Sequence, residues 1–201
     1  MNLESSPASI IILISTVLIS ILALKGRRNL LDKMLLNPFE VVHNKKWYLI
    51  LTSTFIHADF MHLSFNMLTF YFFAFMLEAT IGSLNFILIY FGSAVISDIS
   101  TVIKQKNNPN YNSLGASGAI AGLLFSYILF YPKAKISLFL FPIGIPSPIF
   151  AVLYLAYCYY AAKKSQDYIN HESHLWGAIA GLIITALLIP QSISYFIREV
   201  L

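Results

Sequence analysis

The chain has 201 residues, of which 58% are hydrophobic and 11% charged, and its mean hydropathy is +0.72. A water-soluble domain of this size does not carry so apolar a composition, so the sequence describes a membrane protein. The net charge of +4 is spread over connections and forms no block, which argues against nucleic-acid binding. The single cysteine, Cys158, excludes an intramolecular disulfide and reads as a small hydrophobe.

A transmembrane helix needs about 20 largely apolar residues, with about 17 tolerated. Six candidate segments, 8–24, 60–77, 84–103, 115–131, 148–162 and 174–189, are separated by short polar or charged stretches. They predict an all-α membrane protein, a bundle of six transmembrane helices forming one domain over 1–201. The leader MNLESSPAS carries no Lys or Arg and no clear small-residue cleavage site follows, so the first segment reads as a helix and not as a cleaved signal. Residues 25–59 form the long connection. Within it NLLDKMLLNPF puts Leu30, Leu31, Met34 and Leu35 on one helical face beside Arg27, Arg28 and Lys33, the pattern of a segment lying on the bilayer.

Asp59 stands where it can cap the second segment, and Glu78 and Gly82 close it. KQKNNPNYN at 104–112 is an aqueous loop leading to the fourth segment, and FPIGIPSP at 141–148 is rich in helix breakers. The fifth segment is short, roughly 22 Å at the helical rise, so it either thins the bilayer or leaves a gap beside its ends. Pro190 stops the sixth. No internal repeat of fixed period and no dividing linker is visible.

Polar groups inside hydrocarbon cost a few kcal/mol each, so those that survive generally face the bundle interior. They are His57, His62 and Asn66 around the second segment, Asp98 in the third, Ser117 opening the fourth, and His171 and His174 opening the sixth. Counting crossings, the second, fourth and sixth segments start from the same side, so His62, Ser117 and His174 share one depth. Around Ser117 the sequence GASGAIAG strips bulk from the helix. Gly118 and Gly122 are matched by Gly177 and Gly181, which permits close backbone approach. Close approach is what a Ser–His hydrogen bond between two helices requires, with Ser117 as nucleophile and His174 as base. Ser117 at a helix N-terminus has free backbone N–H groups for a tetrahedral oxyanion, and His62 and Asn66, four apart on one face, are further donors.

Each feature also has a plainer reading. Small-residue runs are common packing devices, His62 with Asn66 is by itself a fair interhelical hydrogen-bond pair, and a lone His at a helix start, such as His174, is usually interfacial. A metal site built from His57, His62, His171 and His174 is the sharper competitor. Its sequence His171-Glu172-Ser173-His174 lacks the i, i+4 histidine pair of the zinc-protease helix, and no metal is expected. The serine is not in a hydrolase elbow either, since Ala119 stands where G-x-S-x-G needs glycine.

Three separated signatures, HADFMHLSFN, GASG and HLWGAIAG, in this order and register resemble the rhomboid proteases. The resemblance covers about residues 8–190 and implies the minimal six-helix form of that family. It implies Ser117 as nucleophile, His174 as general base and acid, and an oxyanion hole of His62, Asn66 and the Ser117 backbone N–H. It further implies an intramembrane serine endopeptidase without cofactor, whose substrates are single-pass transmembrane proteins within a lipid bilayer. The Glu78 and Gly82 closure also follows the family pattern. Two departures are visible. Trp47-Tyr48 stands where members commonly carry Trp-Arg, and Ala121 stands where an aromatic often packs under the catalytic histidine.

The family topology implies a multi-pass protein of the cell membrane with the N-terminus inside and the catalytic face outside the cytoplasm. Lys and Arg counted by side give ten on the catalytic side (25, 27, 28, 33, 45, 46, 104, 106, 163, 164) and three on the other (133, 135, 198), which argues for the reverse. The family topology is followed here. The rival functions are a rhomboid-like protein that binds transmembrane segments without cutting them, against which Ser117 and His174 speak, and a small polytopic transporter, for which only Asp98 speaks.

Overall fold

The computed structural model describes residues 5–26, 28–138, 141–164, 167 and 169–201. Apolar runs become helices and the polar stretches become their connections. In chain order the elements are α1 (Pro7–Leu24), α2 (Arg28–Met34), α3 (Pro38–His43), α4 (Leu49–Thr52), a 3₁₀ turn (Ser53–Phe55), α5 (Phe60–Ile81), α6 (Ser83–Gln105) and α7 (Ser117–Phe130). The strands β1 (Lys135–Leu138) and β2 (Phe141–Pro146) follow, then α8 (Ser147–Lys164), α9 (His171–Leu188) and α10 (Gln191–Val200).

By length and composition α1, α5 and α6 are able to cross a membrane, and α9 with α10 passes the same test only as a pair bent by 111°. Among the described residues three helices thus pass this test, or four with the bent pair, and the protein is a multi-pass integral membrane protein. α7 has 14 residues, about 21 Å at 1.5 Å per residue, against a hydrocarbon core of about 30 Å. It nevertheless lies at the centre. Every residue from Gly118 to Leu129 is buried, as expected of a helix that is apolar all round.

The helix ends have local causes. The Asp59 carboxylate accepts the His62 N–H at 2.7 Å and starts α5, and Gly82, at φ +79°, ends it so sharply that α6 begins at the next residue. Asn37 and Asn170 cap α3 and α9 in the same way, through Glu40 N–H and Ser173 N–H. Glu78 is fully buried. Its carboxylate accepts the Ala8 N–H at 2.9 Å, the Ser9 N–H at 2.7 Å and the Ser83 hydroxyl at 2.6 Å. It thus holds the amino end of α1, with its unsatisfied donors and positive dipole end, against the α5–α6 corner.

Several expectations are corrected. The structure is mostly helical, in keeping with the all-α expectation, but adds a short antiparallel β1–β2 hairpin in which Lys135 pairs with Pro146 and Ile136 with Ile145. Pro142, Gly144 and Pro146 bar a helix there, while the β-branched residues between them suit extended backbone. The fifth segment is longer than predicted, since α8 runs 18 residues, about 27 Å, by taking in Lys163 and Lys164. Pro190 ends α9 but also opens α10, because proline fits the first positions of a helix. In the long connection, α2 and α3 do more than float on a surface. Leu36 and Val41 are buried with Leu49, Ile50 and Val102, and Leu36 exchanges two backbone hydrogen bonds of 2.9 Å with Ser113. Arg27 of that segment lies outside the described residues. Trp47 and Tyr48 are both exposed, and beside them the Lys46–Glu40 ion pair of 2.6 Å ties the loop to α3.

Candidate active site

Ser117 is the first residue of α7 and His174 the fourth of α9, and both are half-buried. What joins the two helices is glycine. A Cβ on Gly177 would stand 2.8 Å from the carbonyl carbon and 3.0 Å from the Cα of Gly118, and one on Gly181 would stand 2.6 Å from the carbonyl carbon of Gly122. Those neighbours are backbone atoms that cannot step aside. The small-residue stripes predicted from sequence therefore face each other residue for residue, and the first contact lies next to Ser117 and one turn from His174. Gly118 is also enclosed by Ser97 of α6 and by Ser173, whose Oγ would lie 2.9 Å from an added Cβ.

His62, on α5, reaches the same place. Gly115 has φ +114°, and where its side chain would stand lies the His62 ring, with Cε1 at 2.8 Å and Nε2 at 2.9 Å from the missing Cβ. The left-handed backbone and the missing side chain at 115 both serve to seat this imidazole two residues before Ser117. Asn66, buried one turn along α5, donates from Nδ2 to the His62 carbonyl at 3.0 Å, which leaves its second amide hydrogen uncommitted. The His62 and His171 rings are both electrostatic neighbours of His174.

Among the described residues Ser117 Oγ and His174 share no hydrogen bond. The structure thus brings Ser117, His174 and His62 together, with Asn66 bonded to the His62 carbonyl, without closing the bond between the first two. Such bonds are often long in unliganded enzymes and tighten when substrate binds.

The layer rests on polar contacts that sequence reasoning missed. His57, fully buried, accepts the Ala116 N–H at Nε2 (3.4 Å), so its proton sits on Nδ1 and is donated to Ser20 Oγ (3.0 Å), which in turn donates to the Phe55 carbonyl (3.0 Å). Burial pushes the His57 imidazole down to about 3, with the nearby His62 adding to the effect, so the ring stays neutral in this chain of bonds. Its ring also meets His62 edge-on, with centroids 4.9 Å apart. Asp98, the residue that spoke for a transporter, accepts the Ser53 hydroxyl at 2.9 Å, while the Ser53 carbonyl accepts the Gly115 N–H at 3.0 Å. The one signal for Ser20 was a serine inside an apolar run, which points to a buried partner but does not say which.

The histidines do not converge as a metal site. Among the described residues no group of three or more His, Cys, Asp or Glu side chains is placed to hold a metal ion. His171 Nε2 turns instead to Asp167, within 3.1 and 3.2 Å of its two carboxylate oxygens.

The family model described as Rhomboid domain matches residues 44–191. The putative rhomboid protease YdcA of Bacillus subtilis is 32% identical over 150 residues, 75% of this chain and 71% of that protein. Rhomboid protein 1 of yeast mitochondria is 31% identical over 142 residues, covering 67% of this chain and 40% of that one. The rhomboid protease GluP of Bacillus subtilis is 28% identical over 143 residues, 71% of this chain and 26% of that one. The chain thus spans less than half the length of the last two.

Proposed function

The chain belongs to the rhomboid family, and from that premise we propose that it is an intramembrane serine endopeptidase cleaving transmembrane segments of other membrane proteins with Ser117 and His174. The observation that carries the reading is the backbone contact of Gly118 with Gly177, which holds the amino ends of α7 and α9 side by side. A catalytic layer made of two helix ends needs such a contact, because side chains as short as serine do not reach across an ordinary interhelical distance of about 8–10 Å.

In this mechanism His174 takes the proton of Ser117 Oγ as the oxygen bonds to the scissile carbonyl carbon. The carbonyl oxygen becomes an oxyanion facing the Ser117 N–H, the His62 ring and the free amide hydrogen of Asn66. The tetrahedral species collapses by breaking the C–N bond, and the His174 imidazolium returns its proton to the departing amine. Water then attacks the acyl-enzyme ester, His174 serving again as base, and Ser117 is regenerated. A transmembrane substrate must unwind locally, since helical hydrogen bonding hides its carbonyls, so small or helix-breaking residues are expected near the cut. On the same reading the chain spans the bilayer six times, with the catalytic face outside the cytoplasm.

A non-cleaving protein that binds transmembrane segments is the second reading, favoured by the unclosed Ser117–His174 bond. Labelling of the detergent-solubilised chain with a fluorophosphonate, compared with Ser117→Ala, decides between them. Covalent labelling at Ser117 is expected, and folded protein that neither labels nor cleaves a reporter substrate supports the second reading.

A further inference from the structure

We infer that His171 and Asp167 form a positioning pair behind His174, the His171 ring setting its orientation and the Asp167 carboxylate opposing the positive charge it acquires during proton transfer. The inference rests on the protease reading above and extends it to two residues that the reading does not use.

His171 is the first residue of α9, one turn before His174, and its side chain is 3% exposed. Its Nε2 lies 3.1 Å and 3.2 Å from the Asp167 carboxylate oxygens, so Nε2–H donates and Asp167 fixes the tautomer. The opposite nitrogen, Nδ1, is buried and has no hydrogen-bond partner among the described residues. Unpaired buried polar atoms cost stability, so one that persists calls for an explanation beyond packing. Asp167 is itself fixed, since its Oδ1 accepts the Ile169 N–H at 3.0 Å.

Two ring contacts transmit this arrangement. Tyr157 of α8 meets the His171 ring edge-on at 5.4 Å with planes at 89°, and His171 meets His174 at 6.1 Å and 79°. His171 is thus clamped between a tyrosine, a carboxylate and the candidate base. Among the described residues, other titratable groups around this end include His62 from α5, Tyr111, and Glu172, which is ion-paired with Lys104 of α6. Asp167 is the carboxylate bonded to the ring that packs on His174. A base whose conjugate acid is cationic gains from a carboxylate beyond a hydrogen-bonded ring, in low dielectric, and from being held to one rotamer.

The test uses the full chain in detergent, with kcat per fluorophosphonate-labelled site, KM, and the ring ¹⁵N resonances of His174 assigned by His174→Gln. Asp167→Asn and His171→Leu are each expected to lower kcat about tenfold while KM stays within about twofold. Both should shift the His174 ring resonances. His171→Gln, whose amide N–H still reaches Asp167, is expected to recover most of the loss. The double variant Asp167→Asn with His171→Leu should be no worse than His171→Leu alone, because the two residues act in series. Unchanged kcat per labelled site and unmoved His174 resonances in Asp167→Asn would overturn the pair. A wild-type chain that neither labels nor cleaves would overturn the protease reading, and the resonances would still decide whether Asp167 and His171 act on His174.

Discussion

Along α7 all residues from Gly118 to Leu129 are buried, whereas along α8 only Ser147, Phe150, Cys158 and Ala161 are. The two helices also differ in what they offer a neighbour. α7 meets α9 through glycine backbones, while α8 turns Ile149, Val152, Leu153, Tyr159 and Tyr160 outward. Interhelical packing in a membrane has little hydrophobic drive and relies on close contact, so α7 and α9 are locked in register and α8 is held by few side chains. The proposed dyad, Ser117 and His174, belongs to the locked pair. The face of α8 is free to meet lipid or another helix.

The largest effect that tests this division should come from the reacting atoms in the locked pair. Ser117→Ala and His174→Ala are each expected to lower cleavage of a reporter transmembrane substrate by a factor on the order of 10⁴–10⁶, with normal insertion and purification. Survival of either variant within a few-fold of wild type would remove the dyad. Next come the donors on α5. If Asn66 acts on the oxyanion, Asn66→Ala should reduce kcat by about 10²–10³ at nearly constant KM. A purely structural pair would lower the melting temperature instead, by an amount matching the roughly 0.6 kcal/mol typical of such bonds.

Third, Gly177→Val should push α9 away from Gly118 and cost about a hundredfold in turnover although no reacting atom is touched. Gly181→Val meets backbone equally hard but one turn further from Ser117. It should therefore lower the melting temperature comparably, by overpacking worth about 1–3 kcal/mol, while turnover per folded molecule falls less. Equal turnover in the two glycine variants would break the claim that closeness matters at Gly177 in particular. The smallest effect belongs to α8. Val152→Ala, on an outward side chain, should change stability by no more than about 0.5 kcal/mol and leave turnover within about twofold.

How far the sequence was legible follows the range of the interactions. Local signals read correctly: Asp59 as a cap, Gly82 as a stop, and apolar runs as helices, because each depends on neighbours within a few residues. The matching glycines of α7 and α9 were also legible, since Gly118 with Gly122 and Gly177 with Gly181 repeat at the helical spacing that close packing uses. What stayed hidden was mostly long-range. Nothing in HADFM shows that His57 takes the Ala116 N–H or meets Ser20, contacts 59 and 37 residues apart in the chain. The hairpin stayed hidden because FPIGIPSP signals only where a helix cannot run and not the pairing of Pro146 with Lys135, and α10 because a proline that ends one helix opens another equally well. Asp167, the acid beside His171, carried no periodic or motif signal at all.

Glu78 has a consequence for biosynthesis. Its oxygens hold amides of Ala8 and Ser9, 70 and 69 residues earlier in the chain. At about 5–20 residues per second, α1 leaves the ribosome roughly 4–14 seconds before the carboxylate that secures it. Until then its first turn has unpaired donors and only headgroups and water to satisfy them. The clasp is therefore a late latch, which closes only after α5 has been inserted and turned at Gly82. In stalled nascent chains, protease should cut near Ser5–Ser9 until Glu78 has emerged and α5 is inserted, and not afterwards.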